Sequence, residues 1–253
     1  MAAIGDEATR LDETVHGVLA VAALRMVMDA GGERRARYFE AIKRGHVPKL
    51  ELDLSDGNMS LLCGTDGLLS GLSSLKEVHF GDSGRLTALP EDLLRGLCSL
   101  EKINIGCFGP KALPAPLFAG LSALKTIDLH CSGLVTLPSS LFSGLGSLRV
   151  IIMTFCNKLT TLPQGLFTEL CSLVNLNIGK CMALTQLPDG LFAGLSSLEE
   201  VDFERCKALK ELPEGSFDGC TALKRLILRE TAITALPDSL KSKVDANPDL
   251  VVW

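Results

Sequence analysis

The chain has 253 residues, of which 47% are hydrophobic, and its formal net charge is −5. An acidic balance argues against nucleic-acid binding, which needs a concentrated basic face, and no stretch of about 18 residues is apolar enough to suggest a transmembrane helix. With one Trp, one Tyr and ten Phe, the chain takes most of its apolar content from Leu, which is typical of an array that repeats one packing unit.

The N-terminal residues 6–45 do not repeat and predict two helices. The apolar positions that recur at helical spacing in the first are Leu11, Val15, Val18, Leu19 and Ala22. Gly31 and Gly32 end this helix, and a second one fits Glu33 to Lys43. Because the first strand of a solenoid leaves an open edge, we expect residues 1–46 to form a helical cap. The alternative is a separate oligomerising or docking hairpin.

From residue 47 onward one phrase returns at a fixed interval. A Leu-Pro step recurs at intervals of 24 or 25 residues, at Pro90, Pro114, Pro138, Pro163, Pro188, Pro213 and Pro237. A phenylalanine follows in step at Phe118, Phe142, Phe167, Phe192 and Phe217, with Leu94 in its place one repeat earlier. Such a period indicates a stacked repeat architecture in which no unit buries its apolar face alone.

Each repeat contains a Leu-x-x-Leu-x-Leu segment whose alternation predicts a short strand. The predicted strands are centred on Asp53, His79, Asn104, Asp128, Ile152, Asn177, Asp202 and Ile227. Because each repeat returns the chain to its start, the strands should be parallel, with the return path on the opposite side. Proline ends the strand side, and the following Leu-Phe-x-Gly-Leu predicts a short helical or 3-10 turn whose Phe packs on the next repeat's Phe.

These motifs resemble the leucine-rich-repeat family over roughly residues 47–240. The phrase from Leu187 to Leu198 is similar to the long typical class, and the Cys-x-x-Leu-x-x-Leu-Pro phrase ending at Pro163 is similar to plant intracellular resistance proteins. The repeats are also remotely similar to those of ROCO-type signalling proteins. The resemblance implies an α/β fold, a curved solenoid with a parallel β-sheet on its concave face and short turns on its convex face.

The C-terminal end is predicted to enter a ninth strand, since Val251 and Trp253 lie 25 residues beyond Leu226 and Leu228. We therefore divide the chain into a cap at 1–46 and a solenoid of about eight repeats at 47–253 with a partial ninth strand. The absence of a capping helix after this strand favours a fragment of a larger protein or a short family member.

Nine cysteines without an export signal are expected to be thiols in a reducing, cytoplasmic setting. Cys156, Cys181 and Cys206 share one repeat position, where a small, weakly polar side chain is needed. Ser132 and Thr231 are predicted to occupy the equivalent place in neighbouring repeats. We expect a ladder of buried thiols, with no metal because the ligand pairs of structural zinc sites are missing, and no cofactor.

One cluster combines a nucleophile, a base and an acid: Asp128, His130 and Cys131. Alternation along the strand places Asp128 and His130 on the solvent side and turns Cys131 toward the core, so that the pair cannot reach hydrogen-bond distance. We therefore expect no enzymatic activity. A thiol enzyme or redox sensor remains a remote alternative.

The strands should present three rows of side chains on the concave face, where a partner would bind. The candidate binding residues are His79, Asn104, Asp128, His130, Val150, Ile152, Phe155, Asn175, Asn177, Glu200, Asp202, Glu204, Arg225 and Arg229. Val150, Ile152 and Phe155 are apolar side chains expected in water, which often mark a contact site, although drift on a tolerant surface is the alternative. The carboxylates of the seventh strand are predicted to pair with Arg225 and Arg229 or to steer a charged partner.

We therefore predict a monomeric, non-catalytic module that binds a protein partner, with no nucleic acid and no membrane. The alternative is the recognition segment of a larger intracellular signalling or innate-immune receptor of GTPase or nucleotide-binding type, with its output domain outside this chain.

Overall fold

The structure is a computed structural model that describes residues 49–52, 69, 72–81, 88–106 and 109–252. The predicted cap at 1–46 and its two helices lie outside these residues. The described chain forms one parallel sheet of nine strands in sequential order. The strands are β1 (Lys49–Leu52), β2 (Glu77–Phe80), β3 (Lys102–Gly106), β4 (Thr126–His130), β5 (Val150–Ile152), β6 (Asn175–Asn177), β7 (Glu200–Asp202), β8 (Arg225–Ile227) and β9 (Val251–Val252). The predicted solenoid is confirmed.

The strands form because every second side chain can be buried against the next layer of the repeat. From β2 to β8 the central inward residue is completely buried, in the order Val78, Ile103, Ile127, Ile151, Leu176, Val201 and Leu226. The residues on either side of it remain half-buried or exposed on the other face of the sheet. This alternation separates an apolar core from a polar-lined concave face, as the period of two dictates.

The convex side is built from tight turns and a phenylalanine spine. The turns are closed by hydrogen bonds between residues three apart, as in Leu141 N–H to Pro138 O at 3.1 Å, which is the 3-10 pattern. The rings of Phe118, Phe142, Phe167 and Phe192 stack at centroid distances of 6.0 to 6.4 Å, and Phe217 follows at 4.8 Å. The predicted spine is confirmed, and it joins the repeats on the side away from the sheet.

The first strand pairs two residues earlier than the sequence predicted. Glu51, and not Asp53, lies opposite His79. Leu50, Leu52 and Leu54 alternate without interruption, so a shift of two residues preserves the apolar pattern. The alternation alone therefore could not decide this register.

The last repeat also departs from the prediction, because its convex turn is replaced by a helix, α1 (Asp238–Ala246), which the sequence analysis missed. The carboxylate of Glu214 accepts hydrogen bonds from the backbone N–H groups of Asp238 and Ser239 and so caps the helix. Leu240 is the residue that α1 buries.

A ninth strand is present, but one residue out of the predicted register. Val252, and not Val251, lies opposite Leu226. Leu250 is buried and Val251 is 39% exposed, whereas the sequence analysis placed Val251 inward. The longer helical connection through α1 adds the residue that shifts the register. Trp253 lies outside the described residues.

Candidate functional site

The concave face carries all the predicted site residues that belong to β2–β8, and it places them on neighbouring strands. The central outward row runs His79, Asn104, Asp128, Ile152, Asn177, Asp202 and Ile227. The row before it contains the predicted Val150, Asn175, Glu200 and Arg225, while His130, Glu204 and Arg229 lie beyond the central row. Apart from Arg225 and Arg229, which are exposed, these predicted residues of the three rows are half-buried.

The polar residues of the central row are joined sideways in pairs. Asn104 Nδ2 donates to Asp128 Oδ2 at 2.9 Å, and Asn177 Nδ2 donates to Asp202 Oδ2 at 3.0 Å. In both places the next residue of the row is an isoleucine, Ile152 or Ile227. The Asn-Asp-Ile order therefore occurs twice, three strands apart, and the amides and carboxylates satisfy one another while the isoleucines make no such bond.

His130 connects the first of these pairs to the strand β5. Its Nε2 lies 2.7 Å from Asp128 Oδ1, and its Nδ1 lies 2.7 Å from the hydroxyl of Thr154. Contact with the Asp128 carboxylate raises the pKa of His130 above 6.5, against the opposing effect of partial burial. The ring is also tilted against Phe155, with centroids 6.3 Å apart. His130 thus supports the aromatic ring at the end of β5.

Phe155 is an exposed aromatic side chain that its neighbours hold in place. It is 45% exposed, and Lys180 Nζ lies over its ring at 4.6 Å from the centroid. Its φ of 62° falls in the left-handed region, which is unfavourable for a bulky residue. Val150 and Ile152 face outward on β5, and Phe155 lies in the turn just after it; we call these three residues the apolar strip.

The carboxylates of β7 have partners within the sheet. Glu200 forms an ion pair with Arg225 on β8, which confirms one predicted cross-strand pair. Asp202 accepts the Glu204 backbone N–H at 2.7 Å, and burial raises the pKa of Asp202. Arg229 makes no ion pair with any residue that the structure describes, so the second predicted pairing is not found.

A column of buried thiols lies beneath the end of the sheet. One of its members, Cys131, takes the place that the sequence analysis gave to Ser132. Cys131 belongs to the column: its Sγ faces Ile105 O at 3.7 Å, as Cys181 faces Met153 O and Cys206 faces Ile178 O, both at 3.2 Å. Cys131, and not Ser132, is therefore the partner of Cys156 in the column. Hydrogen bonding with Cys156 and Cys206, together with burial, raises the pKa of Cys181, which makes a thiolate there unfavourable.

The difference at Cys131 comes from an extra residue that the sequence analysis did not recognise. The column position comes four residues after the strand centre in Ile152–Cys156 and in the two repeats after it, but three residues after it in Asp128–Cys131. The additional residue adopts a left-handed conformation in each longer repeat, at Phe155, Lys180, Arg205 and Glu230, with φ between 55° and 64°. Comparing these spacings could have identified the positions.

The described residues offer little for a small ligand. They contain no group of three His, Cys, Asp or Glu side chains arranged to hold a metal ion, and no helix among them is long and apolar enough to cross a membrane. The two best-formed depressions are open, and neither includes a predicted site residue; one is lined by Glu91, Arg95 and Pro116, the other by Asp189, Glu211 and Pro213. Small molecules usually bind in pockets that enclose them, whereas these two depressions lie open to solvent.

Comparisons with known proteins agree with this architecture. The model of a family described as the BspA-type leucine-rich repeat region matches six copies over residues 66–169 and 111–242. No curated protein sequence matches the chain. Among solved structures, the leucine-rich-repeat domain of the type III effector XopL is 20% identical with a TM-score of 0.54, covering 91% of this chain and 87% of that one. A chain from the Drosophila Toll–Spätzle complex is 23% identical with a TM-score of 0.55, over 78% of this chain and 28% of that one. The chain thus spans little more than a quarter of the length of that chain from the Toll–Spätzle complex.

Proposed function

The chain belongs to the BspA-type leucine-rich-repeat family, and from that premise we propose that it is a non-catalytic module that binds another protein through the concave face of its sheet. The fold is typical of protein–protein interaction modules. Nine strands at about 4.8 Å spacing give a face on the order of 40 Å long, which can accommodate a standard interface of about 800 Å² per partner.

The observation that carries this proposal is the apolar strip. Val150 and Ile152 point away from the core into the concave side, and Phe155 follows in the turn after β5 with nearly half of its surface exposed. Their polar neighbours are already hydrogen-bonded to one another. A partner that covers the strip would gain about 25 cal/mol for each Å² of apolar surface buried, without leaving those amides and carboxylates unpaired.

The rigidity of the strip also supports the proposal. Phe155 is fixed by Lys180 and by the His130 ring, so little side-chain entropy would be lost when a partner orders it. Aromatic residues that are positioned before binding are the usual energetic centres of protein interfaces.

The proposal includes a reducing, cytoplasmic setting. The thiols of Cys131, Cys181 and Cys206 face backbone carbonyls inside the core. They can act as donors to those carbonyls only while they remain reduced.

The test compares partner capture by the full chain and by two doubly substituted variants. One variant carries Val150→Asp and Ile152→Asp on the strip, and the matched control carries Ala119→Asp and Ala193→Asp on exposed convex turns, so both gain the same charge. Proteins captured from a lysate are quantified by mass spectrometry, and the affinity of the recovered partner is then measured by calorimetry. Thermal unfolding shows that both variants are folded.

We expect the strip variant to bind its partner at least about tenfold more weakly, because charged groups would be buried against the interface. The convex variant should bind like the unsubstituted chain. Loss of capture by the convex variant, with none by the strip variant, would show that the wrong face was chosen.

A further inference from the structure

The charge around the apolar strip differs from that of the chain as a whole. Between Arg149 and Pro188, which include β5 and β6, the basic residues are Arg149, Lys158 and Lys180 and the only carboxylate is Glu169. Glu169 lies on the convex side, where it accepts a hydrogen bond from the Gly144 backbone N–H. Three basic residues less one carboxylate give this segment a formal charge of +2, in a chain whose net charge is −5.

The positive groups lie at both ends of the strip. Arg149 precedes Val150 at one end, is exposed, and makes no ion pair with the residues that the structure describes. At the other end Lys180 lies over Phe155, and an aromatic face leaves an ammonium group free to bind an anion as well. From residue 149 to 155 a fully extended chain would cover at most about 20 Å, and the left-handed backbone at Phe155 shortens this span.

Two carboxylates beside the strip are hydrogen-bonded to other residues. Asp128 on β4 contacts both Asn104 and His130, and Asp202 accepts bonds from Asn177 and the Glu204 backbone. Neither forms an ion pair with Arg149 or Lys180 among the residues that the structure describes, although Lys180 is near enough to Asp202 to favour the charged form of that carboxyl. The neighbouring strands thus leave two cationic groups about one strip length apart, with apolar side chains between them.

Two further hydrophobic side chains are exposed in loops of the neighbouring repeats. Among the large hydrophobic residues exposed in the described chain are Val135 and Met182, at 46% and 40%. They lie in the loops that follow β4 and β6, on either side of the loop that carries Phe155.

We propose that the partner contributes an acidic, apolar segment, in which apolar side chains cover the strip and carboxylates on both sides of them pair with Arg149 and Lys180. This inference rests on the proposed function and specifies the chemistry of the partner. Carboxylates placed against these two groups would also select against basic competitors, because like charges in an interface are strongly unfavourable.

The experiment selects peptides from a random displayed library on the immobilised full chain and sequences the survivors. We expect enrichment of Asp and Glu flanking Leu, Val, Ile or Phe. A selected peptide is then labelled and its affinity measured by fluorescence anisotropy for the unsubstituted chain, for a variant with Arg149→Glu and Lys180→Glu, and for a control with Lys207→Glu and Lys210→Glu.

Reversal of the two strip charges should weaken binding at least about tenfold, and the control, with two exposed lysines reversed outside the strip, should bind normally. Enrichment of basic peptides, absence of acidic enrichment, or equal binding by both variants would overturn the proposal. So would strip-dependent binding of a labelled single-stranded oligonucleotide or of vesicles containing an anionic lipid. If these results occur while Val150→Asp with Ile152→Asp still abolishes partner capture, the concave face stands and only the acidic chemistry is wrong.

Discussion

On β5 the outward side chains are Val150 and Ile152, whereas on β7 they are Glu200 and Asp202, although both strands have the same backbone pairing and the same buried inward residue position. The carboxylates of β7 have partners within the sheet: Glu200 forms an ion pair with Arg225, and Asp202 accepts a hydrogen bond from Asn177. The apolar side chains of β5 have no such partner among the described residues. The repeat backbone therefore allows the outward side chains to differ from strand to strand. A strand whose outward side chains have no partners within the sheet is the better candidate for contact with another protein.

The comparison assumes that the two regions share one core. Substitutions in the phenylalanine spine test this assumption and should give the largest change in stability. Phe167 stacks on Phe142 and Phe192, while Phe217 stacks on Phe192 alone among the residues that the structure describes. We expect Phe167→Ala to lower the free energy of unfolding by about 3 to 5 kcal/mol, as for other buried aromatic truncations, and Phe217→Ala to lower it by less. Urea unfolding followed by circular dichroism measures both. An equal or larger loss at Phe217 would contradict nearest-neighbour stacking.

A second test compares equivalent left-handed residues in the two regions. Asn tolerates a positive φ better than Phe or Arg, so Phe155→Asn and Arg205→Asn should each change the free energy of unfolding by less than about 1 kcal/mol, since the relief of strain offsets the lost contact. Binding should separate them: Phe155→Asn is expected to weaken partner binding about tenfold, and Arg205→Asn to leave it unchanged. Calorimetry measures the affinity of each variant for the captured partner. Equal affinities of the two variants would contradict the functional difference between the β5 and β7 repeats.

The pH dependence of His130 provides a smaller effect confined to the central region. Because its folded pKa is raised, its stabilising contact with Asp128 is fully present below the unfolded pKa of about 6.5 and is lost as pH rises through the folded pKa. We expect the His130 titration, followed by NMR, to move back toward the ordinary value in Asp128→Asn. An unchanged titration would show that Asp128 does not hold the ring beside Phe155.

The smallest effect is expected at the ion pair between Glu200 and Arg225, whose guanidinium is largely exposed. A double-mutant cycle with Glu200→Gln and Arg225→Gln should give a coupling free energy of about 0.5 kcal/mol, reduced by salt. Partner binding should not change in either single variant. A marked loss of binding would assign the charged strands β7 and β8 to the interface and weaken the case for the apolar strip.

The sequence by itself determined the repeat length, the inward rows, the phenylalanine spine and the set of strands that share the concave face. These follow from periodicity, since a side chain that recurs every 24 or 25 residues meets its own counterpart in the next layer. Val150 and Ile152 were predicted to face outward for the same reason, and their half-buried positions on the concave side agree.

Only the tertiary structure decided the registers of β1 and β9, the helix α1 and the pairings on the face. A period of two cannot distinguish a strand from the same strand shifted by two residues, as at Glu51 and Asp53. The left-handed residues and the place of Cys131 in the thiol column could have been found from the unequal spacings of the repeats. The contact of Lys180 with Phe155, in contrast, depends on how side chains of neighbouring repeats align. Contacts between neighbouring repeats join residues about 25 positions apart, so a local sequence pattern cannot predict them.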